Sequence, residues 1–256
     1  MIINPYIFQI QGGGNQGNVP TSNLRMHLKS DANVTYNVSN LVNIWGDQTA
    51  YLNNATQSSD ARKPTYSTLD ATMNNLPSLT FSSGSDDVMY VAPNSSLDFS
   101  ANGFSVYMVV YVQVFSSSYS TLIAHTNDST MTQGWGIYYY NGELTYFINN
   151  YNNVSNYVRL PNLNVNQKTL VKFTWDKSTI HGSYRQNGST TQGTKAYSGA
   201  YTNPSTYNLS LMNLPGGNTV YDISGKFGEV LLYNGVLSVQ DDLDLQNYLK
   251  SKYGIA

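Results

Sequence analysis

Cleavage of a glycosidic bond with retention needs two carboxyl groups about 5–5.5 Å apart, and this chain of 256 residues carries only two glutamates, Glu143 and Glu229, far apart in sequence. No spacing of aspartates supplies a substitute pair. Nucleophilic chemistry fares no better. The three histidines, His27, His125 and His181, lie in no glycine-x-serine-x-glycine setting. There is no cysteine, so thiol catalysis, disulfides and thiolate metal sites are excluded. No two histidines have the spacing of metal ligands. The expectation is a protein that is not an enzyme and has no resident cofactor. Calcium is the open alternative, because it accepts Asp, Asn and backbone oxygens. Its loop candidates are Asp86, Asp87 and Asp128, the last beside Asn127. The same residues equally serve turns by bonding their own backbone. Asp47 reads as turn-stabilising, Glu229 as a hydrogen-bonded structural residue, and His27 as a satisfied core histidine.

Aromatic residues make the more suggestive pattern. In Trp135-Gly136-Ile137-Tyr138-Tyr139-Tyr140, strand alternation puts Trp135, Ile137 and Tyr139 on one face and Tyr138 and Tyr140 on the other. Asn141-Gly142 then signals a hairpin. In the return strand, Leu144, Tyr146 and Ile148 join the inward set and Phe147 the outward one. An outward cluster of Tyr138, Tyr140 and Phe147, ringed by Asn149, Asn150 and Asn152, suits a sugar: rings stack on its apolar face and amides bond its hydroxyls. The competing reading is structural, with the patch covered by loops or by a neighbouring subunit.

The elements that must position these residues are short strands. From residue 22 onward, alternating segments sit between Gly, Asn, Pro and Ser clusters, which indicates an all-β sandwich. Phe104–Val112 is the longest apolar segment and reads as a central strand covered on both faces. Leu79–Phe81, Leu170–Asp176 and Ser183–Gly188 are further strand candidates. One helix closes the chain. Ser238 caps it, Asp241, Asp242 and Asp244 crowd its start, Lys250 and Lys252 its end, and Gly254 terminates it. Leu245, Tyr248, Leu249 and Lys252 share a face, to be laid on the strand Phe227–Tyr233. Residues 1–21 read as a separate unit, an apolar decapeptide followed by a Gly-rich linker, and 22–256 as the domain. Pro5, Tyr6, Ile7 and Phe8 are the anchoring candidates. The alternative is an edge strand of the body. Only 11% of residues are charged and the net charge is −2, so neither nucleic acid nor an anionic membrane is an expected partner. No apolar run approaches the roughly 20 residues of a membrane span, and no basic n-region marks a secretory signal.

Several blocks, in order, resemble the concanavalin A-like (laminin-G-like) family. They are Leu24–Asp31, Val42–Gln48 with Trp45 and Asp47, Lys63–Tyr66, Leu76–Phe81, Val171–Trp175 followed by Asn187-Gly188, and the closing Gly225–Ser238 with its helix. His27 stands where the family usually has tryptophan. The resemblance covers about residues 22–256 and implies a two-sheet antiparallel jelly-roll sandwich with a short C-terminal helix. Glucanases of this fold use a glutamate-x-aspartate-x-glutamate strand, which this chain lacks. Ile3–Phe8 is similar to the openings of some tailed-phage structural proteins. Together these imply a non-enzymatic virion protein, a head decoration, head fibre or tail-associated component. It would be made in a host cytoplasm, attached to other virion proteins by its N-terminal arm, homo-oligomeric, and would present a lectin-like domain on the virion surface to glycans or proteins. A free carbohydrate-binding module is the alternative, and a glycan hydrolase the third reading.

Overall fold

The structure, a computed structural model, describes residues 17–115, 119–127, 130–214 and 221–256. In chain order the strands are β1 (Leu24–Lys29), β2 (Val34–Tyr36), β3 (Val42–Trp45), β4 (Ala55–Thr56), β5 (Thr65–Asp70) and β6 (Leu76–Phe81). There follow β7 (Met89–Val91), β8 (Phe104–Phe115), β9 (Tyr119–His125), β10 (Trp135–Tyr140), β11 (Glu143–Ile148) and β12 (Tyr157–Pro161). The last are β13 (Gln167–Trp175), β14 (Thr179–Gln186), β15 (Ser189–Ala196), β16 (Leu209–Leu211) and β17 (Ile223–Asn234), closed by the helix α1 (Val239–Tyr253). One antiparallel sheet runs β15-β14-β13-β8-β17-β6-β5, with β1 also paired to β17. The other runs β12-β11-β10-β9-β16-β7-β4-β3-β2. The expected all-β, two-sheet sandwich with a C-terminal helix is the observed architecture.

The inner faces of the sheets bury one core. Val106, Met108 and Val110 of β8 and Val230 and Leu232 of β17 face Trp135 and Ile137 of β10 and Tyr146 of β11. Phe104 anchors its aromatic centre, 5.0 Å from Trp135 and 4.9 Å, edge-on, from Phe173. The β10–β11 register pairs Ile137 with Tyr146 and Trp135 with Ile148, which is the inward set read from alternation. Both residues of the Asn141-Gly142 turn have positive φ (48° and 88°), the geometry that joins strands of natural twist. Nine of the fourteen described non-glycine residues with positive φ are asparagines, so much of this chain's Asn content shapes turns.

Strand β8 is covered on both sides, as its uninterrupted apolar run demands. Its other face, with Tyr107 and Val109, joins Leu231 and Tyr233 of β17 beneath Leu245, Leu249 and Tyr253 of α1. Ser238 Oγ accepts from Asp241 N at the helix start, and Gly254 (φ 61°) ends it. Polar anchors hold both ends. Near the start, Asp242 accepts from Tyr107 Oη (2.7 Å) and Lys172 Nζ (2.5 Å). Near the end, Lys252 Nζ donates to Glu229 Oε2 (2.8 Å).

Glu229 is fully buried. It also bonds His27 Nε2 (2.5 Å), Tyr253 Oη (3.2 Å) and Tyr248 Oη (3.3 Å). The structural roles expected of Glu229 and His27 are thus seen in one network. Asp47 likewise fixes a turn, accepting from the backbone N–H groups of His27, Thr49 and Asn53.

The described chain is packed from its first residues. A Cβ on Gly17 would stand 1.8 Å from the Asp244 carbonyl oxygen, so only glycine fits there. Val19 packs into the helix-side core and Pro20 O accepts from Tyr233 Oη (3.0 Å). Residues 17–21, read as linker, therefore lie on the body of the domain. The decapeptide and its candidates Pro5, Tyr6, Ile7 and Phe8 lie outside the described residues.

Candidate functional site

Helix α1 covers the outer face of one sheet. The outer face of the other carries the aromatic cluster, and strand register sets its layout. Tyr140 pairs with Tyr119 on β9 and Glu143 on β11; Tyr138 pairs with Thr121 and Thr145; Thr145 pairs with Arg159 on β12; Phe147 pairs with Gly136 and Tyr157. Antiparallel pairing brings these side chains to one face in transverse rows. A Cβ on Gly136 would meet the Phe147 ring at 2.6 Å, so the glycine makes room for that ring.

The alternation is as expected, but the accessibility of three candidates is not. Tyr138 is 1% exposed and Phe147 is 0% exposed. They form a small core with Ala124, Met131 and Leu214, edge-on to each other at 5.5 Å. Tyr151 closes over Tyr138 at 5.6 Å, again edge-on. Strand alternation tells which face a side chain takes, not whether a loop folds back over it, and here loop residues do. Asn149 is buried at 8% exposure and fully committed. Its amide donates to Tyr197 Oη (2.7 Å) and Ala200 O (2.6 Å) and accepts from Thr202 N (3.0 Å). Tyr138, Phe147 and Asn149 are the floor and wall of the patch and offer no ligand-facing surface.

What faces outward is a ring of half-buried tyrosines around that floor: Tyr119, Tyr140, Tyr151, Tyr157 and Tyr221. Of these only Tyr140 was among the sequence candidates. The others come from β9, β12 and two loops, and only the pairing of β9 and β12 with the hairpin brings them in. The Tyr157-x-Arg159 alternation was the available signal for β12.

The Arg159 guanidinium carbon sits 4.4 Å from the Tyr157 ring centroid and 5.0 Å from that of Tyr140, a double cation–π contact. Its ion pair with Glu143, at 3.6 Å, is partly exposed and holds it weakly. The Tyr119 phenol is pushed up to about 12, chiefly by its hydrogen bond to Tyr140. Burial raises the Tyr138 phenol further, against the pull of Arg159. Three buried polar atoms here, Thr121 Oγ1, Thr145 Oγ1 and Arg159 Nε, have no hydrogen-bond partner among the described residues. Buried polar groups are normally bonded, so these call for water or ligand atoms.

The two glutamates do not come together, and the carboxylates that do, Glu229 and Asp31, share Lys252 Nζ (2.8 and 3.1 Å). Glu143 lies on this outer face; Glu229 lies under α1 on the opposite side of the sandwich. Among the described residues no group of three His, Asp or Glu side chains could hold a metal ion. Asp87 accepts from Ser82 N (2.8 Å), and burial lifts its carboxyl to about 6. Asp86 takes the left-handed conformation (φ 54°), and its carbonyl accepts from Arg62 Nε (3.2 Å). A cation placed there would face the Arg62 guanidinium. Asp128 lies outside the described residues. Its neighbour Asn127 does turn chemistry, accepting from Thr132 N and Gln133 N.

No protein-family model matches the chain, and no curated protein matches it. Solved structures do. The chain is similar to the binding domain of botulinum neurotoxin serotype G, with a TM-score of 0.63 and 10% identity over 90% of this chain and 51% of that one. It is similar to the binding domain of Paraclostridial Mosquitocidal Protein 1, with a TM-score of 0.61 and 12% identity over 88% and 52%. It is also similar to Trypanosoma rangeli sialidase in complex with 2,3-difluorosialic acid as a covalent intermediate, with a TM-score of 0.60 and 17% identity over 98% and 36%. The chain spans about half the length of the two toxin domains and about a third of the sialidase. At such identities the likeness is one of fold.

Proposed function

We propose that this protein is a non-enzymatic glycan-binding module whose site is the tyrosine ring around Arg159. The observation that carries the reading is Arg159 held between the Tyr140 and Tyr157 rings on an outer sheet face that no α-helix of the described residues covers. Half-buried phenols offer ring faces to the apolar side of a pyranose and hydroxyls to its rim. Arg159 adds a rigid donor fork that would favour sugars bearing a carboxylate. The unpartnered Thr121 and Thr145 hydroxyls beneath supply further bonding capacity through water. Kinship of fold with toxin binding domains and with a sialidase seen bound to a sialic acid analogue supports a sugar as ligand. Hydrolysis is disfavoured because, among the described residues, Glu143 is paired with Arg159 and Glu229 lies under α1 on the opposite side of the sandwich.

A glycan array with the intact protein tests the site. Binding should fall at least about tenfold in Tyr140→Ala and Arg159→Ala, with no loss of folding. An array without hits, or hits indifferent to both substitutions, refutes it. Within this proposal the apolar decapeptide at residues 1–10 supports attachment to a phage particle surface, with other virion proteins as partners. A deletion of residues 1–16 that leaves particle occupancy unchanged would end that part alone.

A further inference from the structure

A second concavity lies on the same outer face, nearer its other edge. Its lining is Asn43, Thr56, Gln57, Ser58, Tyr90 and Ala92, with Asn208, around a volume of about 420 Å³. That is the size of a small-ligand cleft. The floor is built by register. Thr56 of β4 pairs with Tyr90 of β7, which pairs with Ser210 of β16, so the groove crosses neighbouring strands of the nine-stranded sheet.

The lining is neutral. No charged side chain is among the residues that form it; the Arg62 guanidinium reaches the Tyr90 hydroxyl from outside the lining, and its charge and hydrogen bond partly offset the rise that burial gives this phenol. Gln57 is locked, donating to Val88 O (3.0 Å) and accepting from Ser59 N (3.0 Å). The Asn43 and Asn208 amides make no hydrogen bond among the described residues, so their donors and acceptors are unclaimed.

Three features choose the ligand. The one cation at the groove, Arg62, is outside the lining and engaged with Asp86 O (3.2 Å) and the Tyr90 hydroxyl, so the lining itself presents no charge to phosphate or carboxylate. A peptide strand has no edge to join, since β4 is flanked by β3 and β7, and β7 by β4 and β16. One half-buried aromatic ring with two free amides and two hydroxyls, in a groove of this size, matches a neutral sugar: the ring takes the C–H face and the amides take the hydroxyls.

We propose that the Tyr90 groove is a binding site for neutral sugars, separate from the tyrosine ring. The two sites share one outer row, Tyr90–Ser210–Ala124–Gly136–Phe147–Tyr157, which at about 4.8 Å per strand sets Tyr90 and Tyr157 roughly 24 Å apart.

The experiment is a titration of the isotope-labelled intact protein with the methyl glycosides of glucose, galactose, mannose and N-acetylglucosamine, reading the Asn43 and Asn208 side-chain amide signals. Saturable shifts with at least one of them are expected. Binding should weaken about tenfold or more in Tyr90→Ala and in Asn208→Ala, the second truncating a surface amide that the fold does not use. It should persist in Tyr140→Ala and be no tighter for glucuronate than for glucose. No saturable shift with any of the four, or shifts that survive both groove substitutions, overturns the proposal. Shifts abolished by Tyr140→Ala would move the sugar to the tyrosine ring and equally overturn it. A failed array at the ring leaves this result standing, because the readout is local to the groove.

Discussion

Replacing Glu229 by glutamine should show how α1 is held. The carboxylate is fully buried and receives four hydrogen bonds, from His27, Lys252, Tyr248 and Tyr253. Removing one member of a buried ion pair costs about 3–5 kcal/mol, because the other charge is left buried. Lys252 keeps a second partner, Asp31 at 3.1 Å, so the lower end, about 3 kcal/mol, is the expectation. For a chain of this length that is roughly 6–12 °C in Tm. Urea titration of wild type and Glu229→Gln reads it as a lower midpoint at unchanged slope. The double variant Glu229→Gln with Lys252→Met keeps an acceptor for His27, Tyr248 and Tyr253 and removes the stranded charge, and should cost no more than the single one. A cost below about 1 kcal/mol for Glu229→Gln, or a double variant worse than the single one, refutes the reasoning.

The same network sets a pH window. Burial opposes ionisation of Glu229, but the bonds from His27 and Lys252 outweigh it and hold the carboxyl below its usual value of 4.5. A lowered carboxyl contributes stability above its unfolded value and loses it as pH falls through the folded one. Burial lowers Lys252, yet Glu229 outweighs that and raises it above 10.5. Its contribution is complete below that value and fades as pH rises through the folded one. Stability should therefore be flat from about pH 5 to pH 10 with respect to this pair, and Glu229→Gln should soften both limbs.

Three further outcomes follow from other contacts. Asp70, bonded to Lys226, Ser78 and Thr72 and lowered to about 2, adds to the acid limb, so Asp70→Asn should reduce the stability lost between about pH 4 and pH 2 in acid titrations followed by circular dichroism. Phe147→Ala should cost about 3–5 kcal/mol, whereas Tyr157→Ala should leave the Tm within a few degrees and lower glycan binding; equal effects on stability would deny the distinction between floor and ring. Gly182→Ala should cost about 1–3 kcal/mol by overpacking, since its Cβ would stand 2.5 Å from the Tyr146 ring, and thermal unfolding measures it.

The architecture was readable because it rests on local pattern. Alternation put Trp135, Ile137, Tyr146 and Ile148 in the core, Asn141-Gly142 made the turn, and Ser238 and Gly254 bounded the helix. The site was less readable because burial on an outer face is decided by segments distant in sequence. Tyr138 and Phe147 take the outer face as expected, but Met131, Tyr151 and Leu214 cover them. Asn149 follows the hairpin as read, but its partners Tyr197, Ala200 and Thr202 lie about fifty residues on. Arg159 becomes part of the site only because β12 pairs with β11.

The two outer faces are finished in opposite ways, and the proposed site lies on the one without α1. Over β8 and β17, α1 brings Leu245, Leu249 and Tyr253 and is pinned at both ends by Asp242 and Lys252, so that face is spent on stability. Over β9–β12 no α-helix of the described residues is laid, and their cover is a thin layer of tyrosines with an arginine between rings. Phenols suit such a layer because the ring seals the apolar floor while the hydroxyl stays wet. A leucine in the same place would leave an apolar patch. With only 11% of residues charged, this face offers ring surfaces and neutral hydrogen-bonding groups in preference to ionic ones. Under the glycan-binding proposal the residues that close this face would also hold the sugar ring, which is why the distinction between Tyr157→Ala and Phe147→Ala decides whether binding, beyond closure, is their role.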